Sequence, residues 1–180
     1  MFLMRLRICP TAAARCLWPF VLAACACSPG NGEFRPLEAG DPAPEYGAPT
    51  LAGDSLHLSS LQGRPVLLNV WATWCPPCRE EMPALQKLHE QFGPRGLRVI
   101  GVSVDSRGAE STVRRFVEEG GYTFTILHDA DDAVSGRFRT MGVPETFLID
   151  SDGVVVRRWI GKFDPLAEDV VADVEALLAP

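Results

Sequence analysis

The chain is poor in the features that build metal sites and nucleic-acid interfaces. Its three histidines, His57, His89 and His128, are far apart in the sequence, and its folded region holds only one Cys-x-x-Cys pair. A structural zinc site commonly needs two such pairs, or one pair with two nearby histidines, so zinc is disfavoured. The chain is acidic, with a formal net charge of −6, and it has no long basic patch. This argues against binding to nucleic acid.

The N-terminus has no apolar run long enough to cross a bilayer by itself. Three arginines precede the short apolar stretch 17–24, and Cys25 follows it. This order is typical of a secretory signal, and residues 22–25 resemble a bacterial lipoprotein signal, in which the cysteine is lipidated. We predict a lipoprotein-type signal peptide over residues 1–24 and a lipid on Cys25. An ordinary cleaved signal peptide or an uncleaved anchor remains an alternative.

The stretch after Cys25 is rich in glycine, proline and acidic residues, so it can bury little apolar surface. We predict a flexible tether over residues 25–44 and a single folded domain over residues 45–180. Cys27 lies in this tether and has no assigned role.

What the chain does have is a cysteine pair, Cys75 and Cys78, between a strand pattern and a helix pattern. Residues 65–71 form an almost continuous apolar run, typical of a buried parallel strand, and residues 76–91 read as a helix. Cys75 would then lie at the N-terminus of a helix, where partial positive charge favours a thiolate. Such a pair can carry two electrons by closing and opening a disulfide. An inert disulfide or two buried thiols are the alternatives.

The remaining patterns predict alternating strands and helices, which is a mixed α/β plan. We expect an edge strand in the segment 122–127, a hairpin turn at residues 150–153, and a closing helix over 165–178 with Asp164 as its N-cap. The other expected elements are strands over 97–104, 146–149 and 154–159 and helices over 110–119 and 133–138.

Two motifs resemble a known family. The sequence from Trp71 to Cys78, followed by Pro83, is similar to the active site of thioredoxin-fold oxidoreductases, most closely the periplasmic, membrane-anchored TlpA/ResA-like branch. That branch includes the reductases of cytochrome c maturation. Residues 142–150 resemble the cis-proline loop of the same family and its following strand. The resemblance implies an α/β, thioredoxin-like fold: a central mixed β-sheet flanked by helices, with an extra strand–helix insertion and an N-terminal extension.

The resemblance also implies roles for individual residues. Cys75 is expected to attack as the nucleophile, and Cys78 to resolve the mixed disulfide, so that the two form the redox-active disulfide. Pro144 is expected to be the cis-proline. The backbone of Val143 is then free to pair with an extended substrate, and Trp74 forms an aromatic rim beside the disulfide.

Two carboxylates and two prolines are expected to tune the thiols. Glu81 and Glu145 match positions where relatives carry active-site acids, and a carboxylate near the thiols disfavours the thiolate. An exposed helix charge and an edge charge are the respective alternatives. Pro76 and Pro77 remove backbone amides that could stabilise a thiolate, which favours a reductant. Asn69 stands where thioredoxins have a buried aspartate.

The sequence therefore predicts an enzyme, a membrane-anchored periplasmic thiol–disulfide oxidoreductase that needs no cofactor or metal. Its expected partners are protein disulfides such as those of apocytochrome c, a membrane thiol-reductant donor, and the membrane itself through the N-terminal lipid. The alternative is a copper-handling or oxidase-assembly redox partner. A peroxidase is disfavoured because the Pro-x-x-x-Thr-x-x-Cys loop of that chemistry is absent.

Overall fold

The computed structural model describes residues 35–179. The predicted signal peptide, the lipidation at Cys25 and the first part of the predicted tether lie outside these residues. The strands are β1 (Gly47–Pro49), β2 (Ser55–His57), β3 (Val66–Trp71), β4 (Arg98–Ser103), β5 (Thr125–His128), β6 (Glu145–Ile149) and β7 (Val155–Ile160). The helices are α1 (Pro76–Phe92), α2 (Glu110–Gly120), α3 (Ala133–Phe138) and α4 (Glu168–Leu177), and two 3₁₀ turns cover Leu58–Leu61 and Gly93–Arg95.

Five strands form one mixed sheet in the order β5-β4-β3-β6-β7. Strands β3, β4 and β5 are parallel, whereas β6 pairs antiparallel with β3, and β7 with β6. Strand β3 is therefore central, which explains why all six of its residues are buried and why its sequence reads as a continuous apolar run. The predicted α/β, thioredoxin-like class is confirmed, and β5 lies at an edge as expected.

Alternate side chains of β3 enter two apolar cores, one on each face of the sheet. Leu67 and Trp71 belong to the core that α1, α2 and α4 cover, and this core also contains Cys75 and Cys78. Val66, Leu68 and Val70 pack on the opposite face against α3 and the N-terminal segment. The period of two along a strand produces this division, and it places both cysteines at the end of the larger helical layer.

The last part of the predicted tether packs against the domain. Leu37 is buried in the second core. Backbone bonds join Gly40 to Val155 and Ala43 to Gly153, at the start of the last hairpin strand. The apolar side chain and these paired amides hold residues 37–43 in place despite their polar, proline-rich composition. The exact boundary between tether and domain stays a prediction.

Most element predictions hold, with small differences at the ends. The apolar run 65–71 forms β3, which begins one residue later, and the predicted helix over 133–138 coincides with α3. The closing helix begins later than predicted, and Asp164 is not its N-cap: Ala167 takes that position. The carboxylate of Asp164 instead accepts a bond from the Leu166 amide, because a turn over residues 164–167 precedes the helix.

Over residues 35–179, the helices fall short of the length and apolar character that a membrane span requires.

Candidate active site

Cys75 and Cys78 form a disulfide at the junction of β3 and α1. Cys75 is the N-cap residue of α1, in an extended conformation, and a bond from its amide to the Ala72 carbonyl closes the preceding turn. Cys75 keeps 3% of its surface exposed, whereas Cys78 has none. Both residues are buried, and the small remaining exposure belongs to Cys75, which agrees with attack by Cys75 and resolution by Cys78. That order itself stays a prediction.

The first turn of α1 offers the Cys75 sulfur few amide donors. Pro76 and Pro77 occupy the first two helical positions and have no N–H. The Cys78 amide donates to the Cys75 sulfur at 3.3 Å, and the Arg79 amide bonds to the Cys75 carbonyl instead. A helix start without these prolines could direct more N–H groups at the sulfur. The arrangement therefore stabilises a Cys75 thiolate less than an ordinary helix N-terminus.

The loop before β6 contains a cis peptide bond between Val143 and Pro144, as the resemblance implied. Val143 packs against the core that holds both cysteines. The Pro144 carbonyl accepts a bond from the Gly161 amide, which ties the loop to the end of β7. This loop therefore belongs to the same end of the sheet as the disulfide.

Glu81 is buried one turn beyond Cys78, with 1% of its surface exposed. The side-chain amide of Asn69, on β3, donates to one Glu81 carboxyl oxygen at 2.7 Å and to the Thr146 hydroxyl at 2.9 Å. Burial raises the pKa of Glu81 to about 7, against the opposing effects of Asn69, the Phe163 amide and Lys162. The Phe163 amide faces the carboxyl group without reaching hydrogen-bond geometry. The alternative of an exposed helix charge is wrong for Glu81.

Two buried oxygens at this contact lack a hydrogen-bond partner: Oε2 of Glu81 and Oδ1 of Asn69. Both are acceptors when Glu81 is ionised, and unpaired buried acceptors are costly. A proton on Oε2 turns one of them into a donor. This agrees with a carboxyl group that stays protonated up to neutral pH. A group of this kind can hold a proton beside the thiols and release it.

Glu145 is fully buried on β6, so the alternative of an edge charge is wrong for it. Its carboxylate forms an ion pair with Arg158 on β7 at 2.6 Å and accepts a bond from the Met141 amide at 2.9 Å. Arg158 offsets the negative charge that Glu145 was expected to place near the thiols. The sequence prediction did not include Arg158, although its position opposite residues 145–149 on a hairpin strand would have suggested it.

Three large apolar side chains are exposed around this end of the sheet. Trp74 precedes Cys75, Met141 precedes the cis-proline loop, and Ile160 pairs in register with Glu145. Trp74 and Met141 are each 65% exposed and Ile160 is 60% exposed. Trp74 is thus free to contact a partner beside the disulfide rather than packed into the core.

Asp105 is a further buried polar residue of this region that the sequence prediction missed. Its carboxylate accepts a bond from the Thr73 amide at 2.9 Å, two residues before Cys75. A signal was available: parallel strands end at the same edge of a sheet, so the loop after β4 lies beside the loop after β3. In the part of the chain that is described, no group of three or more potential metal ligands occurs.

Comparisons with known proteins agree with this geometry. The model of the AhpC/TSA family matches residues 39–158. The thioredoxin-like protein YneN of Bacillus subtilis is 38% identical over 120 residues, which cover 66% of this chain and 69% of YneN. The thiol-disulfide oxidoreductase ResA of Bacillus thuringiensis is 33% identical over 126 residues, covering 70% and 72%. A solved structure from Chlorobium tepidum, assigned as the thiol:disulfide interchange protein DsbE, has a TM-score of 0.73 at 28% identity and covers 79% of this chain and 99% of its own.

Proposed function

The chain belongs to the AhpC/TSA family and is a thioredoxin-like thiol–disulfide oxidoreductase of the ResA and DsbE type, and from this premise we propose that it works as a reductant of protein disulfides outside the cytoplasm. In the proposed cycle the reduced Cys75 attacks a substrate disulfide and forms a mixed disulfide. Cys78 then attacks the Cys75 sulfur, which releases the reduced substrate and leaves the Cys75–Cys78 disulfide.

One observation supports this direction of electron flow. The Cys75 sulfur accepts a hydrogen bond from the Cys78 amide, whereas Pro76 and Pro77 have no N–H to donate. A disulfide is strongly oxidising when its reduced form is stabilised as a thiolate. Here that stabilisation is weak, so the dithiol gives up its electrons more readily. The carboxylate of Glu81, close to Cys78, also disfavours a thiolate when it is ionised, and so favours a reductant as well.

Glu81 supports the same cycle as a proton donor and acceptor. Cys78 must lose its proton before it can attack the mixed disulfide, and a nearby group with a pKa of about 7 can accept that proton. Asn69 holds the carboxyl group without neutralising it, because an amide carries no charge. Glu145, paired with Arg158, serves in this proposal to hold the cis-proline loop through the Met141 amide.

The substrate is proposed to bind as an extended segment along the Val143–Pro144 loop. Backbone groups of this loop would give affinity with little side-chain selectivity, and exposed Trp74 and Met141 would contact apolar residues that flank the substrate cysteines. The names of the ResA and DsbE relatives support a protein disulfide as substrate. Within that class, we propose the haem-attachment cysteines of apocytochrome c, with a membrane thiol donor to re-reduce the pair.

A mixed-disulfide trap tests this function. The Cys78→Ser variant cannot resolve the intermediate, so Cys75 should stay covalently bound to its partner in cells. Cys75→Ser is the matched control and should trap little, because Cys78 has no exposed surface. Both variants should also carry Cys27→Ala, so that the tether thiol cannot form adducts.

The identity of the trapped protein decides between the proposals. Apocytochrome c or its haem-attachment machinery, found by mass spectrometry, would support the maturation role, and a copper-site assembly protein would support the alternative. Equal adducts in both cysteine variants, or none in either, would contradict the proposed cycle.

A further inference from the structure

Asp105 is a buried carboxylate that the proposed cycle does not use. It is 2% exposed and lies two residues beyond the end of β4. Its Oδ2 atom accepts bonds from the Thr73 amide at 2.9 Å and the Ser103 hydroxyl at 2.8 Å, and its Oδ1 atom accepts from the Thr73 hydroxyl at 2.5 Å. Three neutral donors thus compensate for its burial. Hydrogen bonds to an ionised acceptor are stronger than those between neutral groups.

These contacts fix the turn that presents Cys75. The turn leaves β3 at Trp71, whose carbonyl accepts a bond from the Val104 amide at 2.9 Å, and it closes between Ala72 and Cys75. The Asp105 carboxylate accepts hydrogen bonds from both the N–H and the O–H of Thr73, which lies inside this turn. Every polar hydrogen of Thr73 therefore points at the carboxylate and none at the Cys75 sulfur.

The neighbouring strand β5 also contacts Asp105. The ring Nε2 of His128, the last residue of β5, lies 2.9 Å from the Asp105 carbonyl oxygen. His128 is the titratable side chain that meets Asp105, and it does so at the backbone rather than at the carboxylate. The Asp129 amide bonds to the Ser103 carbonyl and joins the same strand ends. The active-site turn is thus connected through β4 to the edge of the sheet.

Because of its position, Asp105 disfavours a thiolate on Cys75 in two ways. Thr73 and Cys75 are two residues apart, so their Cα atoms lie at most about 7.6 Å from each other. The Asp105 carboxylate is bonded to Thr73, so its negative charge lies close to the start of α1, where it disfavours a thiolate on Cys75. The occupied Thr73 donors are also unavailable to stabilise that thiolate.

We propose that Asp105 is a positioning residue for Cys75, which holds the Thr73 turn and keeps the attacking thiol of a reductant from being stabilised as a thiolate. This inference rests on the proposed function, in which Cys75 is the attacking group. It differs from a purely structural role because it links Asp105 to the reactivity of one sulfur.

Asp129 supplies a matched control. It is also a buried carboxylate at a strand end, and it accepts a backbone amide bond from Val134 at 2.7 Å and a hydroxyl bond from Tyr46 at 3.0 Å. It follows β5 rather than β4, so it lies one strand further from β3, and neighbouring strands are about 4.8 Å apart. Asp105→Asn and Asp129→Asn remove the same charge from similar environments.

The test measures how the alkylation rate of Cys75 in the reduced full chain depends on pH, with iodoacetamide and site-resolved mass spectrometry. Asp105→Asn should shift the pH of half-maximal rate downward by about half a unit to one unit, since a charge is deleted and one of the two acceptor oxygens that hold Thr73 is replaced by a donor NH2 group. Asp129→Asn should leave the profile unchanged. Circular dichroism checks folding, and Asp105→Ser replaces Asp105→Asn if that variant does not fold.

The outcomes separate the inference from the function on which it rests. A profile that Asp105→Asn leaves unchanged, or that Asp129→Asn shifts equally, would overturn the positioning role while the parent still reduces disulfides. A parent chain whose Cys75 is not alkylated would overturn the proposed function itself.

Discussion

The side-chain amide of Asn69 on β3 donates a 2.7 Å hydrogen bond to the carboxyl group of Glu81 on α1, and both side chains are buried. The contact joins the central strand to the helix that carries the cysteines. Since the partner is an amide and not a cation, burial dominates and raises the pKa of Glu81 to about 7. Glu81 therefore changes its protonation state near neutral pH.

Glu81→Gln should remove a pH dependence of stability. The pKa of Glu81 is raised by folding from an ordinary value of 4.5 to about 7, so its contribution is fully present below pH 4.5 and is lost as the pH rises through 7. The free energy of unfolding of the parent should fall over this window by on the order of 3 kcal/mol relative to Glu81→Gln. Urea denaturation of both proteins at pH 5 and pH 8 measures the difference.

Glu80→Gln is the control for that experiment. Glu80 is the neighbouring acid on the same helix, but its side chain is 60% exposed and pairs with Lys162 at the surface. Its removal should leave the pH dependence of the parent in place. A loss of stability between pH 5 and pH 8 that is the same in the parent and in Glu81→Gln would show that Glu81 ionises normally.

The two carboxylates should differ in their effect on Cys75. We expect Glu81→Gln to lower the pH of half-maximal alkylation of Cys75, because it deletes a charge with no cation beside it at hydrogen-bond distance. Glu145→Gln was also expected from the sequence to lower it, but Arg158 already offsets that charge, so the shift should be smaller. Alkylation rates from pH 5 to pH 10 measure both. A larger shift in Glu145→Gln than in Glu81→Gln would contradict this ranking.

The backbone of the site could be predicted from the sequence because local patterns determine it. The apolar run 65–71, the prolines after Cys75 and the hairpin signal at 150–153 each specify an element from within a few residues. The cis-proline came with the family motif rather than from any physical pattern, whereas the strand and helix patterns on either side placed the cysteine pair. These features place the disulfide correctly on the strand–helix junction.

The partners of the acids could not be predicted because they depend on tertiary contacts. Asn69 and Glu81 are twelve residues apart and lie on different elements, so no local pattern pairs them, whereas the hairpin position of Arg158 would have suggested Glu145 as its partner. The predicted start of α4 was wrong for a related reason. Asp164 has the side chain of an N-cap residue, but its carboxylate accepts a hydrogen bond within the preceding turn. The contact of Asp105 with Thr73 needed the sheet order before it could be recognised.

The prolines at the start of α1 should keep the disulfide reducing. Pro76→Ala and Pro77→Ala each restore an N–H near the Cys75 sulfur, so each should make the reduction potential less negative. Pro83→Ala is the control, since Pro83 lies in the interior of the same helix and restores an amide away from the first turn. Equilibration of each variant with glutathione buffers gives the potentials. Equal potentials in all three variants would contradict a role for the missing amides.

The N-terminal anchor is tested by cell fractionation. If residues 22–25 direct lipidation, Cys25→Ala should move the mature protein from the membrane to the soluble fraction or block its processing. Cys27→Ala, two residues further on, is the control and should stay with the membrane. Membrane association that persists unchanged in Cys25→Ala would favour an uncleaved apolar anchor.

The reduction potential of the Cys75–Cys78 pair in the parent chain is the most direct test of the proposed reductant. It is obtained by equilibrating the protein with defined ratios of reduced and oxidised glutathione or dithiothreitol at pH 7 and counting free thiols at both cysteines. We predict a value near that of thioredoxin, roughly −270 mV, because few donors stabilise the Cys75 thiolate. A value near that of the strong oxidant DsbA, roughly −120 mV, would contradict the account.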